Sequence, residues 1–241
     1  MRKFIAVAGN IGVGKSTLTG LLAQKLRWKP YYEAVADNPY LADFYEDMKR
    51  WSFHSQVFFL SRRLYDSLRI LKDPEPVIQD RCMYEDAEIF ARNLYLQGRM
   101  QEKDWHTYWE LYELMRELVP APELIIYLRA SVPTLLQRIN HRGRDYEQGV
   151  SVDYLEQLNR LYEEWVEGLS LCPTLIIPAD ELDFVKHEAH LEQIAAWLSY
   201  KALPEFFKTR PASVRRRRGR KVPKAQPPLP GVEWRLQAAR K

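Results

Sequence analysis

Residues 9 to 16, Gly-Asn-Ile-Gly-Val-Gly-Lys-Ser, fit the pattern G-x-x-x-x-G-K-[ST], with Thr17 following. Glycines let consecutive backbone N–H groups turn inward around phosphate oxygens. Lys15 suits the β and γ phosphates of a nucleoside triphosphate, and the Ser16 hydroxyl suits Mg²⁺ at the positive end of a following helix. A chance glycine turn is the simpler alternative. From average residue usage the four fixed positions should coincide in a chain this long with probability on the order of one in a hundred. The loop Gly9, Asn10, Ile11, Gly12, Val13, Gly14, Lys15, Ser16 and Thr17 is therefore expected to hold ATP with Mg²⁺, while the acceptor stays open.

Two further clusters have the chemistry to serve such a loop. Glu33 closes one candidate strand and Asp80-Arg81 closes another. Carboxylates and an arginine at neighbouring strand ends can orient an attacking hydroxyl, hold Mg²⁺ through water and clamp a transferring phosphoryl group. Alone, each is as well explained by a surface acid or a structural ion pair. The third cluster is Gln137 to Gly149, with Arg138, Arg142 and Arg144 within seven residues, Gly143 between them and Glu147 just beyond. It reads as a mobile, arginine-rich lid that places guanidinium groups over donor phosphates and excludes water, with a solvated basic turn as the plainer account.

The elements that must position these residues are legible as short apolar runs separated by helical stretches. Runs at 3–9, 28–33, 76–80, 123–128 and 174–178 give five candidate strands. Leu18, Leu21, Leu22 and Leu26 mark one face of a helix directly after the glycine loop. Strands alternating with helices imply a doubly wound α/β domain, a five-stranded parallel sheet flanked by helices, with ligands at the carboxyl ends of the strands. The aromatic-rich stretches 38–72 and 84–119 exceed what a crossover needs.

Of the 241 residues, 1–204 are expected to form this domain and 205–241 a basic, Pro/Arg-rich tail expected to be disordered, although Val232, Trp234 and Leu236 could dock a few residues. From Lys208 onward twelve Lys/Arg and one acid give a local charge of +11, so against +4 for the whole chain residues 1–207 carry −7. An acidic domain trailing a basic tail offers no obvious nucleic-acid face of its own, and contact through Arg215–Lys221 is left as the lesser possibility for the tail. No apolar run approaches the roughly 20 residues that cross a bilayer, and the N-terminal stretch is too short for a signal peptide, so a cytoplasmic protein without membrane contact is expected. Cys82 and Cys172 lack metal-ligand or disulfide-framework spacing and are expected to be reduced packing residues.

Taken in order, GNIGVGKST, Glu33 followed by DNPY, FYEDMKRWSFHSQ, QDRCMYEDAEIFARNLY, LIIYLRA and RINHRGRDYEQG resemble the deoxynucleoside kinases over about residues 3–200. The resemblance implies a P-loop kinase fold and transfer of the ATP γ-phosphoryl to the 5′-hydroxyl of a deoxynucleoside, with Mg²⁺, in a homodimer that packs through helices; a heterodimer with a paralogue is the other possibility. It assigns Glu33 as general base, Arg81 as the arginine holding that carboxylate, and Lys15, Arg138, Arg142 and Arg144 as stabilisers of the transferring group. Asp80 joins Ser16 in positioning Mg²⁺. Tyr45 and Glu147 match the pair that binds the sugar 3′-hydroxyl; Gln56, Arg63 and Asp86 match the readers of the base edge, and Phe90 the aromatic that stacks on it. Cys82 stands where many relatives have serine. Relatives accepting thymidine tend to be apolar at the positions of Arg63 and Asp86, so a charged pair there, with the likeness of YEAVADNPY and QVFFLSRR to bacterial deoxyadenosine and deoxyguanosine kinases, favours purines. Two other readings share the loop: a nucleoside-monophosphate kinase of the thymidylate type, and a nucleic-acid-associated NTPase anchored by its basic tail.

Overall fold

The computed structural model of the chain describes residues 4–33, 37–144, 149–200 and 233–235. The apolar runs become strands β1 (Phe4–Gly9), β2 (Lys29–Tyr31), β3 (Val77–Asp80), β4 (Leu124–Arg129) and β5 (Thr174–Pro178). Every residue of β1 and β3 is buried, as are all but the last of β4 and β5. That is why these runs read as continuous rather than alternating: in a parallel sheet both faces are covered. β2 is only three residues long and carries Pro30, whose missing N–H suits an edge strand.

Order along the sheet is β2-β3-β1-β4-β5, all parallel, with a sixth strand, β6 (Glu233–Arg235), antiparallel beside β5. The sixth strand corrects the expectation of disorder for 205–241 as far as residues 233–235 are concerned. Physically, β5 would otherwise be an open edge, and the stretch Val232 to Leu236 alternates apolar and polar residues with the period of a strand. The rest of the tail lies outside the described residues.

Helices α1 (Lys15–Leu26), α2 (Leu41–Glu46), α3 (Met48–Lys72), α4 (Met83–Glu85), α5 (Arg92–Leu96), α6 (Glu102–Leu118), α7 (Val132–Arg142), α8 (Val152–Gly168) and α9 (Glu188–Tyr200) make up the layers around the sheet. A π-helical segment, Asp86–Ala91, joins α4 to α5. On α1, Leu18 and Leu22 are fully buried, each contributing about 1.5–3 kcal/mol through burial; Leu21 and Leu26 are half-buried against the core. α8 buries a much wider face, from Tyr154 through Tyr162 to Val166, and packs on the π-helical segment and on α7. The expected stretch 38–72 is in fact two helices: the Asp47 side chain accepts the Arg50 N–H at 3.1 Å and starts α3. No helix among the described residues is long and apolar enough to cross a membrane.

Candidate active site

At the carboxyl ends of β1 and β3 the chain turns from sheet to ligand crevice. Gly9 (φ 145°), Gly12 (φ 79°) and Gly14 (φ 105°) all adopt backbone angles that side chains resist. A Cβ on Gly12 would lie 2.6 Å from the Ile139 side chain, so the loop can pack on α7 only with glycine there. The Asn10 amide donates to the Leu155 carbonyl at 3.0 Å and to Asn159 Oδ1 at 2.8 Å, pinning the loop to α8. Lys15 is buried and its Nζ donates to the Asn10 carbonyl at 3.0 Å. Burial, with the charge of Arg81 beside it, lowers its pKa to about 8.

Facing the loop is a group of charges held by three different elements. Glu33 lies two residues past β2, and its Oε1 accepts from Arg63 Nη2 at 2.8 Å, with Arg81 Nε 3.2 Å away. Burial opposes its ionisation, but the guanidiniums of Arg81 and Arg63, with Lys15 and Arg144, outweigh this and hold the carboxyl below the usual range. Arg81 has φ 63°, an uncommon left-handed conformation for an arginine, directly after β3. Its guanidinium carbon sits 4.1 Å above the Phe90 ring. Arg63, on α3, lies one layer behind the cavity wall: Nε donates to Asp86 Oδ2 at 2.7 Å and Nη1 to the Asp80 carbonyl at 3.2 Å. Burial works against its charge, and Asp86 and Glu33 more than restore it. Arg63 is thus the joint between the expected base reader Asp86 and the expected base catalyst Glu33, a role its sequence position does not reveal.

A cavity of about 1160 Å³ brings these parts together, larger than the few hundred to a thousand Å³ of a pocket for one small ligand. Ile11 to Thr17, Glu33, Tyr45, Gln56, Asp80, Arg81, Asp86 and Phe90 line it; Gly9 and Asn10 do not. Among the described residues Gln56 Oε1 is buried with no hydrogen-bond partner, a position from which it can meet a ligand donor. Glu147 lies outside the described residues. Leu41, Phe44 and Phe59 supply apolar wall that residue chemistry alone did not single out, though Phe59 follows Gln56 by three positions on α3 and shares its face. Beyond β5, Asp180 and Asp183 to Lys186 line the loop's side of the cavity; the strand-end rule that pointed to Glu33 and Asp80 applies equally there.

The three lid arginines do not form one unit. Arg138 sits inside α7, its Nη1 donating to the Val13 carbonyl at 2.7 Å and its Nη2 to the Ala179 carbonyl at 2.7 Å. It clamps the glycine loop to the exit of β5 rather than riding on a mobile segment, because α7 continues past it until Gly143 ends the helix at φ 65°. Arg142 closes α7 and Arg144 follows Gly143, both lining the cavity; residues 145–148 lie outside the described residues. For a metal, Asp80 supplies the test. Its Oδ2 accepts from the Ser16 hydroxyl, while its Oδ1 is buried and, among the described residues, without a partner. An orphaned carboxylate oxygen beside the loop serine fits a hard cation that keeps most of its ligands as phosphate and water.

Comparison with known proteins identifies the chain's relatives. The family model described as Deoxynucleoside kinase matches residues 5–201. The chain is 41% identical over 192 residues to the deoxyadenosine/deoxycytidine kinase of Bacillus subtilis (strain 168), covering 79% of this chain and 88% of that protein. It is 39% identical over 202 residues to the deoxyguanosine kinase of the same organism, covering 80% and 94%. Among solved structures, that of deoxyadenosine kinase from M. mycoides with bound dATP superposes with a TM-score of 0.72 at 32% identity, covering 82% of this chain and 100% of that one. Together with the glycine loop and the Glu33–Arg81 contact, these matches establish that the chain belongs to the deoxynucleoside kinase family and is an ATP-dependent phosphotransferase.

Proposed function

We propose that the protein transfers the γ-phosphoryl of ATP to the 5′-hydroxyl of a deoxynucleoside, with purines favoured. The observation that carries this reading is the placement of Glu33, ionised and bound by two arginines, across one cavity from the phosphate loop. A carboxyl held below its ordinary range is a weak base for an alcohol. Glu33 therefore orients the hydroxyl and accepts its proton late, as charge leaves the loose transition state. Lys15 and the Arg81 guanidinium stabilise that charge from fixed positions, with Arg142 and Arg144 approaching from the end of α7 and Arg138 holding the loop's shape. Ser16 and Asp80 would hold Mg²⁺, which supplies neutralisation of the donor phosphate oxygens.

On the acceptor side, Tyr45 with Glu147 is assigned to the sugar 3′-hydroxyl, Phe90 to stacking, and Gln56 with the Arg63–Asp86 pair to the base edge. Asp86 lines the cavity beside Gln56 while Arg63 sits behind it and pairs with it, and this carboxylate acceptor in the wall supports a base with a matching polar edge over thymine. The names of the bacterial relatives point the same way. We also assign pairing of two copies, or of this chain with a paralogue, to the exposed apolar side chains of α3 and α6: Tyr65 and Leu68 on the first, Leu111, Leu114 and Leu118 on the second. Initial rates with ATP on the four natural deoxynucleosides and their monophosphates test the whole reading. Deoxyadenosine or deoxyguanosine should be the best acceptor; a preference for any monophosphate, or for thymidine, overturns it.

A further inference from the structure

Glu85, the last residue of α4, does not line the cavity, yet it is fully buried against Gly9 at the start of the glycine loop. No cation among the described residues lies within ion-pair distance of it. Instead its two oxygens are used as acceptors. Oε1 takes the Gly9 N–H at 3.1 Å and lies 2.8 Å from the Tyr162 hydroxyl; Oε2 takes the Cys82 N–H at 3.1 Å and so caps the start of α4. The Tyr162 hydroxyl, equally buried, also lies 2.8 Å from the Gly9 carbonyl. Gly9 thus has its N–H on this carboxyl and its carbonyl within reach of this phenol, whose single proton is shared between the Gly9 carbonyl and Glu85 Oε1.

Gly9 is where such a hold has an effect. It ends β1, its φ of 145° suits glycine, and a Cβ there would stand 2.8 Å from the Leu128 carbonyl oxygen. With no side chain it cannot be fixed by packing of its own, and it is the point where the loop, pinned further on at Asn10 and Val13, leaves the sheet. Asp86, the next residue after Glu85, faces the other way onto Arg63 and through it Glu33. Adjacent carboxylates thus reach the donor loop and the acceptor pair.

We propose that Glu85 is a positioning residue for the donor: with the Tyr162 hydroxyl it holds Gly9 from both sides and sets the phosphate loop against the segment that carries Asp86 and Phe90. The proposal rests on the loop being the ATP site. If Glu85 only capped α4, its loss would lower stability and leave nucleotide affinity alone.

The test is calorimetric titration of Mg-ATP and, separately, of deoxyadenosine and deoxyguanosine into the full chain, with kcat and KM for ATP measured alongside. In Glu85→Gln the carboxamide must turn its NH2 toward the Gly9 or the Cys82 N–H and loses the negative charge that draws both, so ATP affinity should fall about tenfold and KM for ATP rise to match, since small misplacement of reacting groups is expensive. Deoxynucleoside affinity should stay within twofold. Tyr162→Phe keeps the ring stacked on Tyr127, 5.5 Å between centroids, and removes one oxygen; ATP affinity should fall about threefold or more. The double variant should bind ATP no worse than Glu85→Gln, because both act through Gly9. Unchanged ATP affinity in Tyr162→Phe overturns the proposal even if Glu85→Gln fails to fold, and so do losses that multiply in the double variant. A wild-type chain that binds ATP but phosphorylates no deoxynucleoside would sink the acceptor reading and leave this titration still decisive.

Discussion

Replacing Asp86 alone by alanine should destabilise the protein far more than replacing Asp86 and Arg63 together. Their side chains are 4% and 3% exposed, with 2.7 Å between Arg63 Nε and Asp86 Oδ2. Removing one member of a buried ion pair costs about 3–5 kcal/mol, because the survivor is left charged and dry. Here Glu33 still faces Arg63 at 2.8 Å, which puts Asp86→Ala near the lower end, about 3 kcal/mol. At about 2–4 °C per kcal/mol for a domain of this size, the melting temperature should drop by roughly 6–12 °C. In Arg63→Met with Asp86→Ala both charges go and methionine refills much of the volume, while Glu33 keeps Arg81 as partner. More than half of the loss should return. Urea denaturation of wild type, both single variants and the double variant gives the cycle, and initial rates on the same preparations should show the double variant shifted toward thymidine. A double variant no more stable than Asp86→Ala, or an unchanged ranking of acceptors, would refute the reasoning about this pair.

Glu33→Gln keeps shape and removes the charge that orients the hydroxyl, so kcat should fall by ~10² or more with ATP affinity retained; activity within threefold of wild type takes Glu33 out of its role. Lys15, with its pKa lowered to about 8, is partly neutral above that pH, whereas bound phosphate favours the ammonium. Binding of ATP should therefore take up protons and weaken as pH rises past about 8, approaching tenfold per unit; calorimetry in buffers of different ionisation enthalpy that shows no proton uptake near pH 8.5 contradicts this. Leu114→Glu with Leu118→Glu, placed on the exposed side of α6, should turn a dimer into monomer in sedimentation velocity without loss of the fold; an unchanged dimer moves the interface elsewhere.

The parts of the site that were legible are those whose signal is local. The glycine loop announces itself because each fixed residue acts through its own backbone or side chain, and β1, β3, β4 and β5 are visible because burial on both faces leaves only apolar residues. β2 was overextended to Glu33 because YYE continues a strand-like pattern that the sheet does not use. Arg63 shows the limit most clearly: its partners come from the segment after β2, from β3 and from the π-helical turn, and no spacing in sequence links the three. Glu85 was missed for the same reason, since Gly9 and Tyr162 are 76 and 77 positions away. The π-helical segment has no residue signature at all, as only a shift of hydrogen-bond partners defines it.

Strand β6 has a consequence for how copies of this chain can recognise one another. A free sheet edge pairs through main-chain groups, which are the same in every protein and so discriminate poorly. Along β5 those groups are already taken by Glu233–Arg235, and at the opposite edge β2 offers three residues, one of them a proline without a donor. On the helix face of Leu111, Leu114 and Leu118, proposed above as the contact between copies, fit depends instead on side chains. On that proposal, choice between an identical partner and a paralogous one rests on a few exposed residues of α3 and α6, and can change without disturbing the strand ends beside Glu33, Asp80 and Arg81.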